Sequence, residues 1–130
     1  MMIKKWVKPK IEEGKLTEWN WMVQGVENFK LGENTDIGAF SYINARAGVE
    51  IEDNVQIGGG VKIYSISTID GKSGKVVLKK NCRVGAQSVI MPGVIIGENS
   101  VVGALSFVNK DIPDNVVAFG VPAKVIHPIK

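Results

Sequence analysis

Residues 63–70 read IYSISTID and crowd four hydroxyl side chains and a carboxylate into eight positions: Tyr64, Ser65, Ser67, Thr68 and Asp70. Hydroxyls hold a polar substrate by hydrogen bonds. A carboxylate takes a proton from an attacking nucleophile when burial lifts its pKa toward neutrality. Asp70 also opens an Asp-Gly pair, so a plain turn role stands beside the role of base. Other reactive groups are scarce. His127 is the single histidine, near the carboxyl end and remote from the octet. A zinc site of three imidazoles cannot be built from one histidine, so no metal is expected. Cys82, the single cysteine, forms no disulfide within the chain and fits a reducing, cytoplasmic setting. The GGG at 58–60 is a turn rather than a phosphate-binding loop.

The 130 residues suffice for one domain, and 45% apolar content is ordinary for a globular protein. The basic start MMIKKWVKPK is not followed by the apolar core of a signal peptide, and no run of about 18 apolar residues suggests a membrane span. Net charge is +3, and the excess is local. Between Lys62 and Arg83 lie six basic residues (Lys62, Lys72, Lys75, Lys79, Lys80, Arg83) against one acid, Asp70. A phosphate-bearing partner and a plain solvated face both fit this run. Nucleic acid is not expected, because aromatic and basic residues do not interleave as base-stacking surfaces require.

The elements that must position these groups are set by a repeat. Aliphatic residues recur every six positions at Leu31, Ile37 and Ile43. After a two-residue slip they resume at Ile51, Ile57, Ile63 and Ile69. A gap holding DGKSGKVV follows, and the beat then runs through Leu78, Val84, Ile90, Ile96, Val102 and Val108. Four residues after most of these stands a small or β-branched residue: Thr35, Ser41, Ala47, Val55, Val61, Ser67, Cys82, Ser88, Val94, Ser100 and Ser106. A period of six matches neither an α-helix nor a hairpin. It matches a parallel β-helix in which each hexad is one short strand and a turn, and three hexads make a coil. About four coils are expected, with Cys82 as a core residue. Residues 1–25 lie outside the beat, carry all three tryptophans, and are expected to cap the first coil; residues 26–130 hold the solenoid and a tail whose prolines stop regular strand pairing.

The hexads, the segment VGAQSVIMPGVIIGENSVVGALSFVNKDIPDN and the ending GVPAKVI resemble the hexapeptide-repeat acyltransferases, over roughly residues 26–127. Within that family the resemblance is to the sugar and xenobiotic O- and N-acetyltransferases. It implies an all-β fold with a left-handed parallel β-helix, the hand coming from the resemblance alone. It further implies a homotrimer, acetyl-coenzyme A as acyl donor, and active sites in clefts between subunits. Carried over by motif, Ala86 and Ala104 in the GA turns line the path of the coenzyme. Asn109 and Lys110 of VNKD meet it, and Lys124 after GVPA meets its phosphate. Asn44, opening the slip in INARAGVEI, faces the acceptor. By their own hydroxyls, rather than by motif, Tyr64 and Ser65 are expected to hydrogen-bond the acceptor.

At the family's general base, a histidine after a stretch like IYS, this sequence has Ile66. A sugar hydroxyl needs a proton removed as it attacks, whereas an amine has a usable neutral fraction near neutral pH. Ile66 therefore tilts the reading toward acetyl transfer to an amino group of a sugar or nucleotide-sugar, with Asp70 as the substitute base. The alternative is a catalytically silent member that binds a ligand or scaffolds a partner.

Overall fold

The computed structural model describes residues 5–129 of the chain, which form only strands, turns and one short 3-10 helix, Val26–Asn28. Hydrogen bonding within a hexad is impossible for so short a strand, so each strand satisfies its backbone on the strands one coil before and after it. Three parallel sheets result. The first stacks Met22–Gln24, Tyr42–Asn44, Lys62–Tyr64, Val89–Ile90 and Phe107–Val108. The second stacks Phe29–Leu31, Val49–Ile51, Val76–Leu78 and Ile95–Ile96, and Ile112 adds a parallel bridge to Ile96. The third stacks Asp36–Ile37, Gln56–Ile57, Arg83–Val84, Val101–Val102 and Val116–Gly120, with Ala123–Pro128 antiparallel at its end.

Register turns the repeat into columns. On the first face Val23, Ile43, Ile63, Ile90 and Val108 lie one above another, all fully buried. On the second, Ile51, Leu78 and Ile96 are equally buried, with Leu31 partly covered at the start of the column. Each fully buried aliphatic side chain contributes about 1.5–3 kcal/mol. The small residues fill the corners. Ser41, Ser88 and Ser106 are buried, and their hydroxyls donate to the carbonyls of Gly58 (3.1 Å), Gly103 (3.1 Å) and Gly103 (2.7 Å). These serines are structural. Between the second and third faces each turn holds an asparagine at positive φ (Asn34, Asn54, Asn81, Asn99, Asn115; φ 56 to 64°), the residue that tolerates this region best after glycine.

Four expectations need correction. The solenoid has five rungs rather than four, because both end rungs are completed by positions outside the beat. The first rung lies partly in segment 1–25, at Met22–Gln24, and the last uses Ile112 and Ala118. The tail does not leave the sheet: Val116–Gly120 pairs in parallel with Val101–Val102, since Pro113 and Pro122 fall outside that strand and Pro128 stands only at the end of the antiparallel one. Ile69 is no core residue. It is fully exposed at the tip of an excursion made by Ile66–Ser67 and Lys72–Ser73, paired antiparallel. The buried small residues near the slip and the excursion are Ala45 and Ser65, two positions ahead of Ala47 and Ser67, because the chain leaves the coil there.

Candidate active site

Of the residues expected on the acceptor side, Asn44 and Tyr64 meet on the outer surface of the first face, whereas Ser65 lies inside. Asn44 and Tyr64 are register partners on adjacent rungs. Tyr42 lies beside them, its ring centroid 5.8 Å from that of Tyr64 at an interplanar angle of 54°. The Tyr42 hydroxyl donates to Gln24 Oε1. Burial pushes the Tyr42 hydroxyl above its ordinary pKa, opposed by the Arg46 guanidinium and by a hydrogen bond with Asn44. Tyr42, Gln24 and Arg46 were missed in the sequence, where nothing but the slip at INARAGVEI points to this edge.

The slip turn that follows Asn44 is held from three sides. Asn44 Oδ1 accepts the Arg46 N–H (3.1 Å), Asn28 Nδ2 donates to the Arg46 carbonyl (3.0 Å), and Ser65 Oγ accepts the Ala47 N–H (2.9 Å). Ser65 is fully buried. Its hydroxyl is thus spent on the turn and does not reach the outer surface.

Ile66 starts the excursion and is half-buried against it. Asp70 at the tip is exposed, with the Lys72 N–H donating to Oδ1 (3.3 Å) and the Lys72 ammonium 4.0 Å from Oδ2. The Ser67 hydroxyl, aided by Lys72, holds its carboxyl below the usual range against the opposing effect of desolvation. A carboxylate base needs its pKa lifted, and this carboxyl is shifted the other way; the contacts it makes are those of a turn.

The residues expected on the donor side divide between two edges. Ala86 and Ala104 are exposed on successive rungs where the third face meets the first, and the Leu105 N–H donates to the Ala86 carbonyl (2.9 Å). Beside them the third face carries a shallow groove of about 480 Å³ bounded by Asp36, Gln56, Arg83, Gly85, Gly103 and Ala104. Lys124 stands opposite Phe119 in the terminal hairpin, and Phe119 Cβ packs on Gly103 at the end of that groove. Asn109 and Lys110 lie on the other edge, where the first face turns into the second, with the slip turn and the excursion on earlier rungs of the same edge. His127 is exposed on the hairpin, opposite Val117.

The six cations between Lys62 and Arg83 do not form a patch. They occupy a single turn of the solenoid and point outward around it. The Lys62 ammonium donates to the Gly60 carbonyl (2.7 Å), Lys75 pairs with Glu50 (3.0 Å), and Arg83 faces the third-face groove. Among the described residues no group of three or more His, Cys, Asp or Glu could hold a metal ion, and no helix is long and apolar enough to cross a membrane.

Two family models match the chain: bacterial transferase hexapeptide (six repeats) over residues 75–110, and hexapeptide repeat of succinyl-transferase over residues 30–65. Galactoside O-acetyltransferase of Escherichia coli (strain K12) is 39% identical over 116 residues, covering 78% of this chain and 57% of that enzyme. The chain spans about half the length of the curated relatives it matches. A hexapeptide-repeat containing acetyltransferase from Vibrio cholerae, solved with acetyl coenzyme A, superposes with a TM-score of 0.80 at 28% identity, covering 85% of this chain and 65% of that one. A single-site variant of the Bacillus cereus N-acyltransferase AntD, solved with dTDP-4-amino-4,6-dideoxyglucose and coenzyme A, gives 0.61 at 31% identity, covering 85% and 71%. The matched segments contain the hexads that stack as rungs and the face that carries Asn44 and Tyr64, and on these grounds the chain belongs to the hexapeptide-repeat acetyltransferase family.

Proposed function

We propose that this chain is a coenzyme A-dependent acyltransferase that moves an acetyl group onto an amino group of a sugar or nucleotide-sugar. The observation that carries the reading is the polar, aromatic platform of Asn44, Tyr42 and Tyr64 on the open first face, bounded by Ile66 where the family's histidine would stand. Relatives solved with coenzyme A and an amino-sugar nucleotide support the substrate pair.

The acceptor binds as a cation or a neutral amine. Once neutral, its nitrogen attacks the thioester carbonyl, the C–N bond forms, the C–S bond breaks, and the nitrogen proton balances the departing thiolate. With no imidazole at position 66, positioning and hydrogen bonding to the developing oxyanion supply the rate enhancement. Asp70, ionised, attracts the ammonium and orients it. Ala86, Ala104 and Lys124 take the coenzyme along the third-face groove, and Asn109 and Lys110 meet it from the other edge. A single chain keeps these two sets on opposite edges of the first face. A homotrimer, in which one copy's edge meets the next copy's groove, would join them; sedimentation as a monomer at micromolar concentration refutes that part.

The test is incubation with acetyl-coenzyme A and a panel of amino-sugar nucleotides, scoring thiol release. Transfer to an amine supports the reading. Ile66 and the ionised, exposed Asp70 also favour a second reading, a silent ligand-binding or scaffold member. Absence of transfer to every amine, with coenzyme binding absent as well, selects the scaffold.

A further inference from the structure

The amino-terminal segment reaches the acceptor platform through one side chain. Glu13 projects its carboxylate onto the turn that follows the first strand: Oε1 accepts the Gly25 N–H (3.0 Å) and the Val26 N–H (2.9 Å), and Oε2 accepts the Gly25 N–H (2.9 Å). These amides belong to a turn in which Gly25 has φ 82° and ψ 42°. That turn sits hard against the slip turn above it, since a Cβ on Gly25 would stand 2.6 Å from the Arg46 nitrogen and 2.8 Å from the Ala45 carbonyl carbon. Gln24, immediately before it, accepts the Tyr42 hydroxyl through its side chain and the Ala45 N–H (2.7 Å) through its backbone.

Glu13 is exposed, and an exposed glutamate folded back onto two backbone amides gives up side-chain entropy that solvent would otherwise let it keep. Charge-assisted hydrogen bonds to backbone donors offset that loss. The Val26 and Gly25 amides hold the carboxyl below its ordinary pKa, with Arg46 adding to the effect, so Glu13 stays ionised near neutral pH. The same guanidinium faces Tyr42. One carboxylate thereby fixes the backbone that carries Gln24.

We propose that Glu13 is a positioning residue for the acceptor site: by clamping the Gly25–Val26 turn it sets Gln24, and through Gln24 it fixes the orientation of the Tyr42 hydroxyl on the platform. The inference rests on the acceptor reading of the first face given above. It assigns Glu13 a part in acceptor affinity and none in the affinity of the third-face groove, because its carboxylate reaches only the Gly25–Val26 turn between the first and second faces.

The experiment is steady-state kinetics of Glu13→Ala, Gln24→Ala and the double variant, with acetyl-coenzyme A and whichever amino-sugar nucleotide the wild-type chain acetylates. Loss of a hydrogen bond of this kind is expected to raise the acceptor KM about tenfold in each single variant, while the coenzyme KM stays within about twofold. The double variant is expected to be no worse than Gln24→Ala alone, since both changes act on the same group. Glu13→Gln keeps one acceptor oxygen but sets its NH2 against the Gly25 N–H, and is expected to recover part of the acceptor affinity lost in Glu13→Ala. An acceptor KM unchanged in Glu13→Ala overturns the assignment, as does a rise shared equally by both substrates, which marks a merely structural residue. Should Glu13→Ala not fold, an acceptor KM unchanged in Gln24→Ala overturns it. If the wild-type chain transfers no acetyl group to any amine, the acceptor reading itself fails and this assignment falls with it, an outcome distinct from an active enzyme indifferent to Glu13.

Discussion

Gly85→Ala is expected to weaken both the fold and the donor groove, and its size follows from the contacts. A Cβ on Gly85 would stand 2.4 Å from the Ala104 nitrogen, 2.7 Å from its Cα and 2.8 Å from the Gly103 carbonyl carbon. All three are backbone atoms, so no side chain can rotate away. Ordinary contact distance requires the two rungs to part by about 1 Å at this corner. Two hydrogen bonds cross the same gap, Gly85 N–H to the Val102 carbonyl (2.7 Å) and Leu105 N–H to the Ala86 carbonyl (2.9 Å). Stretching both costs about 1–3 kcal/mol, in line with the usual cost of overpacking. Alanine recovers about 0.4–1 kcal/mol by restricting the unfolded chain, because φ at Gly85 is not positive. The expected net loss is about 1–2 kcal/mol, read as a lowered urea midpoint with unchanged m. Coenzyme affinity, followed by calorimetric titration, should fall as well, since Ala104 and Gly85 both bound the groove. Gly71→Ala is the control. Gly71 has φ +68° and nothing within 4 Å of its Cβ position, so the strain stays in the excursion and the global midpoint holds. A wild-type midpoint in Gly85→Ala would refute the claim that backbone contact between rungs dictates glycine there.

Asp70→Asn should raise the acceptor KM several-fold with little change in the pH profile of turnover; a loss of about 10²-fold in kcat would instead identify the carboxylate as a general base. Lys124→Glu should weaken coenzyme binding about tenfold at low salt, and by less as salt screens it; unchanged affinity removes Lys124 from the donor site. Burial pushes the Cys82 thiol from 9.0 up to about 12, so it should resist thiol reagents in the native protein and react at once in denaturant. The linkage sign follows: the unfolded thiol ionises near 9 and the folded one near 12, so its contribution to stability is complete below pH 9 and declines as pH rises toward 12. Urea midpoints of wild type and Cys82→Ala should therefore converge with rising pH, and a constant difference would contradict the linkage.

The interior of this protein was legible in its sequence because a solenoid repeats one local decision. A hexad with an aliphatic in its strand and a small residue at its corner must stack on a like hexad to satisfy its backbone, so Ile43, Ile63 and Ile90 announce a column without reference to any distant contact. The same reasoning failed where chain leaves the coil. Ile69 keeps the beat but sits on an excursion, and Met22–Gln24 and Ile112 join the sheets without it. Only the tertiary structure decided which surface residues meet. Successive partners down the first face, Met22, Tyr42, Lys62, Val89 and Phe107, are 20, 20, 27 and 18 residues apart, because the excursion lengthens one coil and other coils are shorter. With no constant spacing, sequence alone does not reveal that Gln24 holds Tyr42, that Glu13 clamps the turn beside them, or that six neighbouring cations radiate around one coil. Burial repeats with the local beat, whereas lateral contact depends on how much chain each coil consumes.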